Sequence, residues 1–292
     1  MHSKAKTRAR TTNVIEILDA YELENRAIAS DRTMYAIKAL RPFFTGLNVW
    51  EIDVPLCRQY VAHRMSAGVS MSTAARELTT LRAACNHAIK WKRILNHDQP
   101  SFEIPTDLPR REIWLFKDEL RCLLDIAEDR VENFTKIAYG TGSRRRAIER
   151  LEWYQCDLSR RSISLAKRGE RKSNKRRPVV PMGELYPLIR SLHENRTNDF
   201  VLGSDKDILY EFEKTLIRAD LLYVEERDGR PAGKITPHVL RHSRATHMLE
   251  DGVSIYAVAR LLGDNPTTVQ RVYGHISMGS LEEELSKSSI ML

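Results

Sequence analysis

The sequence has few of the features that mark secreted, zinc-binding or membrane proteins. Only four cysteines occur in 292 residues, and no two of them form a Cys-x-x-Cys pair: Cys57, Cys85, Cys122 and Cys156. This spacing argues against a disulfide framework and a zinc knuckle, and it predicts small buried side chains in a reducing compartment. No run of about eighteen apolar residues is present, and no apolar stretch follows the basic residues 1–8. We therefore expect a cytoplasmic protein with no membrane partner.

The charge of the chain is positive and unevenly distributed. There are 47 Lys and Arg residues against 39 Asp and Glu, which gives a net charge of +8. Residues 140–181 alone hold thirteen basic and four acidic residues, an excess of nine. A basic stretch of this kind favours a phosphate backbone as partner, although a solvated, charge-rich hairpin would look the same in sequence.

The first third of the chain is helical by pattern. Apolar residues at helical spacing predict helices from Val14, over 34–44, from Asp53 to Gly68, and over about 72–91. Helical periodicity then stops, and prolines appear among polar residues at Pro100, Pro105 and Pro109. We predict a flexible basic N-terminus over 1–12, a helical bundle over 13–97 and a linker over 98–111.

The remainder of the chain mixes helices with short strands. Helical periodicity returns over 117–127, 131–139 and 208–219, and from about Leu185 and His238. Alternation over 161–165 and the segment 178–181 predict a small antiparallel sheet with a polar hairpin between its strands. The predicted fold class is mainly α with a small antiparallel β-sheet (α+β), with a second domain over 112–279.

The chemistry is concentrated in two short motifs near the end of the chain. His238 and Arg241 are three residues apart in a predicted helix, so both can reach one small anion from the same helix face. An arginine offers a permanent positive fork, and a histidine moves protons near neutral pH. Tyr273 follows some thirty residues later and is a candidate nucleophile. Alone, a His-x-x-Arg pair is more often a surface patch beside a core histidine.

A third motif gives these residues a context. Thr141-Gly142-Ser143-Arg144 follows an apolar helix, so that the glycine turns the chain and an arginine begins the next helix. Together with His238-Val239-Leu240-Arg241-His242 and Tyr273, it resembles the tyrosine recombinase (phage integrase) family in order and spacing. The resemblance spans the chain and implies a helical, SAM-like core-binding bundle followed by a catalytic domain.

The resemblance implies a site-specific recombinase or integrase that uses neither metal nor cofactor. Tyr273 would attack the scissile phosphate and form a 3′-phosphotyrosyl link, while Arg144 and Arg241 stabilise the non-bridging oxygens. A hairpin lysine would protonate the leaving 5′-oxygen, and Lys172 and Lys175 both qualify, with Lys172 slightly favoured. His238 would exchange a proton with the tyrosine hydroxyl or bond the phosphate.

Several neighbours of these motifs have roles that the sequence leaves open. His242 and His247 are expected to be structural. Asp264 stands where the family usually has a phosphate-binding histidine or tryptophan, and an anionic carboxylate cannot donate a hydrogen bond. Asp264 would instead cap the next helix or orient Arg241, with His275 or Asn265 as the donor.

DNA contacts and assembly follow from the same resemblance. The residues expected to contact double-stranded DNA are Arg76, Arg82, Lys90, Arg145, Arg176 and Arg177. The tail over 280–292 is expected to dock on a neighbouring protomer, within a homotetramer on paired specific sites. The resemblance is also compatible with an accessory DNA-bending protein, and it implies that the protein associates with the nucleoid.

Two other functions share much of this evidence. A type IB-like topoisomerase uses the same chemistry but relaxes DNA as a monomer without site preference. A non-catalytic DNA-binding regulator accounts for the helices and the charge, but not for a tyrosine at the family spacing after two arginine motifs.

Overall fold

The computed structural model describes residues 13–26, 30–106, 113–166 and 179–274. The chain divides into two compact units, Met1–Arg110 and Arg111–Leu292. The predicted N-terminus over 1–12 and the tail over 280–292 lie outside the described residues. None of the helices in the described part is long and apolar enough to cross a membrane.

The first unit contains the four helices that the sequence predicts. They are α1 (Val14–Asn25), α2 (Asp31–Phe44), α3 (Val54–Ser66) and α4 (Met71–Lys90). Polar side chains begin them: the carboxylate of Asp53, for example, accepts a hydrogen bond from the Leu56 amide at 2.8 Å at the start of α3. The longest helix, α4, contacts the other three, and its inner face supplies buried residues at helical spacing: Ala74, Ala75, Leu78, Leu81, Ala84, Cys85 and Ala88.

The segment predicted to be a linker begins as part of this first unit. The amide of Ser101 donates a hydrogen bond to the carbonyl oxygen of Ile52 at 2.9 Å. Phe102 and Ile104 pack against the core of the unit. These two apolar side chains fix the segment up to Thr106 on the helices, and residues 107–112 lie outside the described part.

The second unit is mainly helical and carries two small sheets. Its helices are α5 (Lys117–Ile126), α6 (Asp129–Thr141), α7 (Arg145–Glu149), α8 (Tyr186–Glu194), α9 (Leu209–Arg218), α10 (Pro237–Glu250), α11 (Ile255–Leu262) and α12 (Pro266–Tyr273). The fold class is therefore mainly α with small antiparallel sheets, as the sequence predicts. One large core contains residues from every helix from α5 to α10. A smaller apolar cluster contains residues from α10, α11 and α12.

The sheets are short and antiparallel. The strands β1 (Cys156–Asp157), β2 (Ser162–Ser164) and β3 (Val179–Pro181) form a sheet in that order. Its centre pairs the buried Ile163 with the buried Val180. A second sheet that the sequence did not predict pairs β4 (Tyr223–Val224) with β5 (Gly233–Lys234).

The cysteines only partly match the expectation that all four are buried. Cys57 and Cys85 are buried in the first unit, whereas Cys156 is partly buried and Cys122 is exposed. Cys122 lies beside the buried Leu123 on α5 but faces outward, because neighbouring positions on a helix point in different directions.

Candidate active site

Helix α10 carries three side chains of the site on neighbouring turns. Thr236 and Pro237 begin the helix, with the proline in the first turn, where its missing N–H costs nothing. His238, Arg241 and His242 follow. The rings of His238 and His242 meet edge to face, with centroids 4.8 Å apart and an angle of 90° between the planes. This contact is what a spacing of four residues produces on a helix.

The turn after α6 joins the first arginine motif to the second. Gly142 ends α6 in the left-handed conformation, with φ of 62°. A Cβ at this position would lie 2.6 Å from a methyl carbon of Leu262 and would force it to shift, and L side chains rarely adopt this backbone conformation, so glycine is strongly favoured. The carbonyl oxygen of Gly142 accepts a hydrogen bond from Nη1 of Arg241 at 2.7 Å. The glycine therefore turns the chain towards Arg144 and also holds Arg241.

The two arginines meet on a single carboxylate. Arg241 is 4% exposed, and its Nη2 donates a hydrogen bond to Oδ2 of Asp264. Arg144 is more exposed and donates from Nη2 to Oδ1 of Asp264 at 3.3 Å. Burial lowers the pKa of Arg241, and Arg144 lowers it further, while Asp264 opposes both effects. The carboxylate thus stabilises two like charges that would otherwise repel.

Asp264 holds these arginines from the turn between α11 and α12. Gly263 ends α11 in the left-handed conformation. Asn265 begins α12, and its Oδ1 accepts a hydrogen bond from the Thr267 amide at 3.0 Å. Of the two roles that the sequence left open for Asp264, the structure therefore gives the helix cap to Asn265, and it gives Asp264 the contact with Arg241.

Tyr273 ends α12 and reaches the same site. The residue is 6% exposed and packs in the apolar cluster with Val258, Leu262 and Val269. Its hydroxyl lies 2.5 Å from Nδ1 of His242. The ring is therefore fixed by packing, and its one polar atom is directed at the histidine.

The sequence prediction gave His238 either proton exchange with the tyrosine hydroxyl or a hydrogen bond to the phosphate, and it made His242 structural; in the structure the hydroxyl contacts His242. His238 is exposed, and partial desolvation followed by the charges of Arg241 and Arg144 lowers its pKa. His242 is partly buried, and desolvation, His238 and Arg241 lower its pKa to about 4. His247 has the structural role expected, since it is buried and its Nδ1 lies 2.9 Å from the Tyr139 hydroxyl. The only sequence signal for His242 was its spacing of four residues from His238.

Arg145, predicted to contact DNA, is engaged within the protein. Its Nη1 donates to Oε1 of Glu149 at 2.9 Å and to Oδ1 of Asp207 at 2.6 Å. Glu149 is fully buried, and the same oxygen accepts a hydrogen bond from the Ile208 amide at 3.0 Å. This network, which the sequence did not predict, fixes α7 immediately after Arg144 and gives Arg145 an internal role.

The other predicted site residues lie either in the first unit or outside the residues that the structure describes. Arg76, Arg82 and Lys90 are exposed on α4 of the first unit. The hairpin residues Lys172, Lys175, Arg176 and Arg177, together with His275, lie outside the described residues.

The arrangement combines a site for a small anion with a nucleophile. Two guanidinium groups converge on one point, which a carboxylate occupies and where an anion of similar shape fits. A phenol hydroxyl lies beside the neutral imidazole of His242, the residue that follows Arg241 in α10. Such a site can stabilise the growing negative charge on a phosphoryl group while the phenol attacks it.

Comparison with known proteins gives a consistent match. The model of the phage integrase family matches residues 114–279. Tyrosine recombinase XerD of Shewanella oneidensis is 26% identical over 298 residues, covering 94% of this chain and 97% of that protein.

Solved structures share the fold at low sequence identity. The Tn1549 transposon integrase, in complex with a circular intermediate DNA, has a TM-score of 0.75 at 17% identity, covering 96% of this chain and 100% of that one. A lambda integrase tetramer bound to a Holliday junction has a TM-score of 0.67 at 16% identity, covering 90% and 78%.

Proposed function

The chain belongs to the phage integrase family and is a tyrosine-type site-specific recombinase, and from this premise we propose that Tyr273 is the nucleophile that cuts and rejoins DNA. The observation that carries the proposal is the meeting of Tyr273, His242, Arg241 and Arg144 in one site, from α12, α10 and the turn before α7. The tyrosine therefore works with the arginines of its own chain.

Cleavage begins when the scissile phosphate takes the place of the Asp264 carboxylate between Arg144 and Arg241. A phosphodiester carries one negative charge and accepts hydrogen bonds from the same two forks. In the pentavalent transition state more charge develops on the non-bridging oxygens. Two fixed guanidinium groups stabilise this charge more than that of the ground state, which lowers the barrier.

The covalent step conserves the energy of the phosphodiester bond. The phenol oxygen of Tyr273 bonds to phosphorus, and the bond from phosphorus to the 5′-oxygen breaks. The product is a 3′-phosphotyrosyl link and a free 5′-hydroxyl, which takes its proton from a hairpin lysine, Lys172 or Lys175. Attack by another 5′-hydroxyl reverses the step and joins the strands.

We also propose that the first unit binds DNA and that the enzyme works as a tetramer on paired sites. Supporting this, the Tn1549 transposon integrase was solved with DNA, and lambda integrase was solved as a tetramer on a Holliday junction. Arg76, Arg82 and Lys90 are exposed on α4 and suit phosphate contacts. Because the substrate is DNA, we assign the activity to the cytoplasm, at the nucleoid.

The test is a comparison of recombination with relaxation. Wild-type protein and Tyr273→Phe are incubated with a plasmid carrying two candidate sites and with a supercoiled plasmid carrying none. The proposal predicts recombinant products only from the paired sites, only with the wild type. Recombination by Tyr273→Phe would remove Tyr273 from the mechanism, and efficient relaxation of the plasmid without sites would contradict site-specific action.

A further inference from the structure

We propose that His242 accepts the proton of the Tyr273 hydroxyl during cleavage and returns it during rejoining. This inference rests on the proposed function, because it requires Tyr273 to be the nucleophile. Its basis is the 2.5 Å contact between Oη of Tyr273 and Nδ1 of His242. The contact joins α12 to α10.

The two histidines of α10 lie in different surroundings. His238 is exposed, and its pKa responds to Arg241, Arg144 and Asp264, so it lies near the point where the phosphate binds. His242 is more buried and contacts the tyrosine ring, with centroids 5.7 Å apart. His238 therefore suits a hydrogen bond to the phosphate, and His242 suits proton exchange with the nucleophile.

Burial, followed by the neighbouring charges, favours the neutral form of His242. His238 and Arg241 face it from α10, and Tyr273 faces it from α12. Burial, His238 and Arg241 lower the pKa of His242 to about 4, so the ring has one unprotonated nitrogen at neutral pH. When Nε2 carries the hydrogen, the lone pair of Nδ1 points at the phenol. An incoming phosphate adds negative charge beside Arg241 and makes an imidazolium at His242 less unfavourable.

Each proton has a defined path in this scheme. As the bond from Tyr273 Oη to phosphorus forms and the bond to the 5′-oxygen breaks, the phenol proton passes to Nδ1 of His242. The 5′-oxygen leaves with a proton from a separate acid, the hairpin lysine. Rejoining reverses both transfers, and nothing is oxidised or reduced.

The chain supplies a matched control on the same helix. His247 also places Nδ1 beside a tyrosine hydroxyl, that of Tyr139, at 2.9 Å. That pair is part of the packing between α6 and α10, and the hydroxyl has no proposed reaction. A purely structural histidine-to-tyrosine contact is therefore available for comparison.

The test is single-turnover cleavage of a suicide substrate at several pH values by His242→Asn, which keeps an acceptor near Nδ1 but cannot carry the proton. A second substrate has sulfur in place of the bridging 5′-oxygen and needs no acid to release its leaving group. We expect the rate of His242→Asn to fall about 100-fold on both substrates. We also expect its rate to rise with pH as the phenol ionises, where the wild-type rate is level. His247→Asn should lower the melting temperature and leave the rate and its pH profile unchanged.

Three results would overturn the inference. They are a rate for His242→Asn within about threefold of wild type, a loss that the sulfur substrate restores, and a loss with an unchanged pH profile. The first removes His242 from the chemistry, the second assigns it to the leaving group, and the third leaves it a structural role. Failure of the wild type to form any adduct would instead contradict the proposed function.

Discussion

The carboxylate of Asp264 binds Arg241 at the point where a catalytic phosphate is expected. Arg144 donates to the other oxygen of the same carboxylate. Because Arg241 is almost completely buried, removal of its counterion leaves an uncompensated charge until an anion replaces it. If Arg144 and Arg241 bind the scissile phosphate as proposed, we expect that phosphate to displace the Asp264 carboxylate.

Asp264→Asn tests this exchange. The substitution keeps an acceptor for Arg241 but removes the negative charge, so we expect the unbound protein to lose roughly 1–3 kcal/mol of stability. Site DNA should recover this loss, because the phosphate supplies the missing charge. Thermal melting is measured with and without DNA in a Tyr273→Phe background. DNA should raise the melting temperature more in the Asp264→Asn variant than in the protein that keeps Asp264.

Asn265→Ala is the control for that measurement. It removes the cap of α12 and should cost about 1 kcal/mol without changing the DNA-induced shift. If DNA raised the melting temperature equally with Asp and with Asn at position 264, the phosphate would not replace the carboxylate.

Arg241→Ala should separate binding from chemistry. The substitution removes a donor that acts mainly in the transition state, so adduct formation should fall on the order of 100-fold to 1000-fold. Affinity for site DNA should change much less, because many phosphate contacts contribute to it. Gel-shift titration and single-turnover cleavage measure the two quantities, and an unchanged cleavage rate would remove Arg241 from the proposed mechanism.

Acid should destabilise the protein through the histidines of α10, whose pKa values are lowered in the folded state. The pKa of His242 is about 4 when folded and 6.5 when unfolded, so below pH 6.5 the unfolded chain binds a proton that the folded chain does not. The stability from His242 is complete above pH 6.5 and is lost as the pH falls towards 4, by at most about 3 kcal/mol. His238 and His247 act in the same direction. Denaturant titrations at pH 7, 5 and 4 should show a shallower decline for His242→Asn, and parallel declines would contradict the shift.

The exposed basic residues of α4 should contribute to the salt dependence of DNA binding. Replacing Arg76, Arg82 and Lys90 with alanine should reduce the slope of log affinity against log salt by roughly 0.9 for each phosphate that the protein no longer neutralises. Arg58→Ala is a matched control, since Arg58 is also exposed in the first unit but pairs with Glu103. A triple variant with the slope of Arg58→Ala would place the phosphate-binding residues elsewhere.

The fold was predictable where local periodicity determined it. The helices α1 to α4 follow the spacing of residues such as Leu78 and Leu81, and Asp53 marks the start of α3. The strands β4 and β5 have two residues each, too few for an alternating pattern to appear. The packing of Phe102 and Ile104 was missed because the prolines around them suggested a free linker.

The site was predictable as a set of residues but not as a set of contacts. The motifs gave Arg144, His238, Arg241 and Tyr273, whose catalytic roles remain predictions. Helical spacing places His242 near His238, but it cannot say which of the two a tyrosine 31 residues further along the chain will meet. Likewise, the hydrogen bond from Arg241 to the Gly142 carbonyl joins residues 99 positions apart. Such contacts depend on tertiary packing rather than on local pattern.

The proposed mechanism requires the phenol oxygen of Tyr273 to become covalently bound to DNA. A suicide substrate that releases a short 5′-hydroxyl fragment should trap the wild-type protein on the 3′-phosphate, and protease digestion followed by mass spectrometry should locate the nucleotide on Tyr273. Tyr273→Phe should bind the same DNA and form no adduct. A nucleotide on any other residue, or an adduct that persists in Tyr273→Phe, would contradict this mechanism.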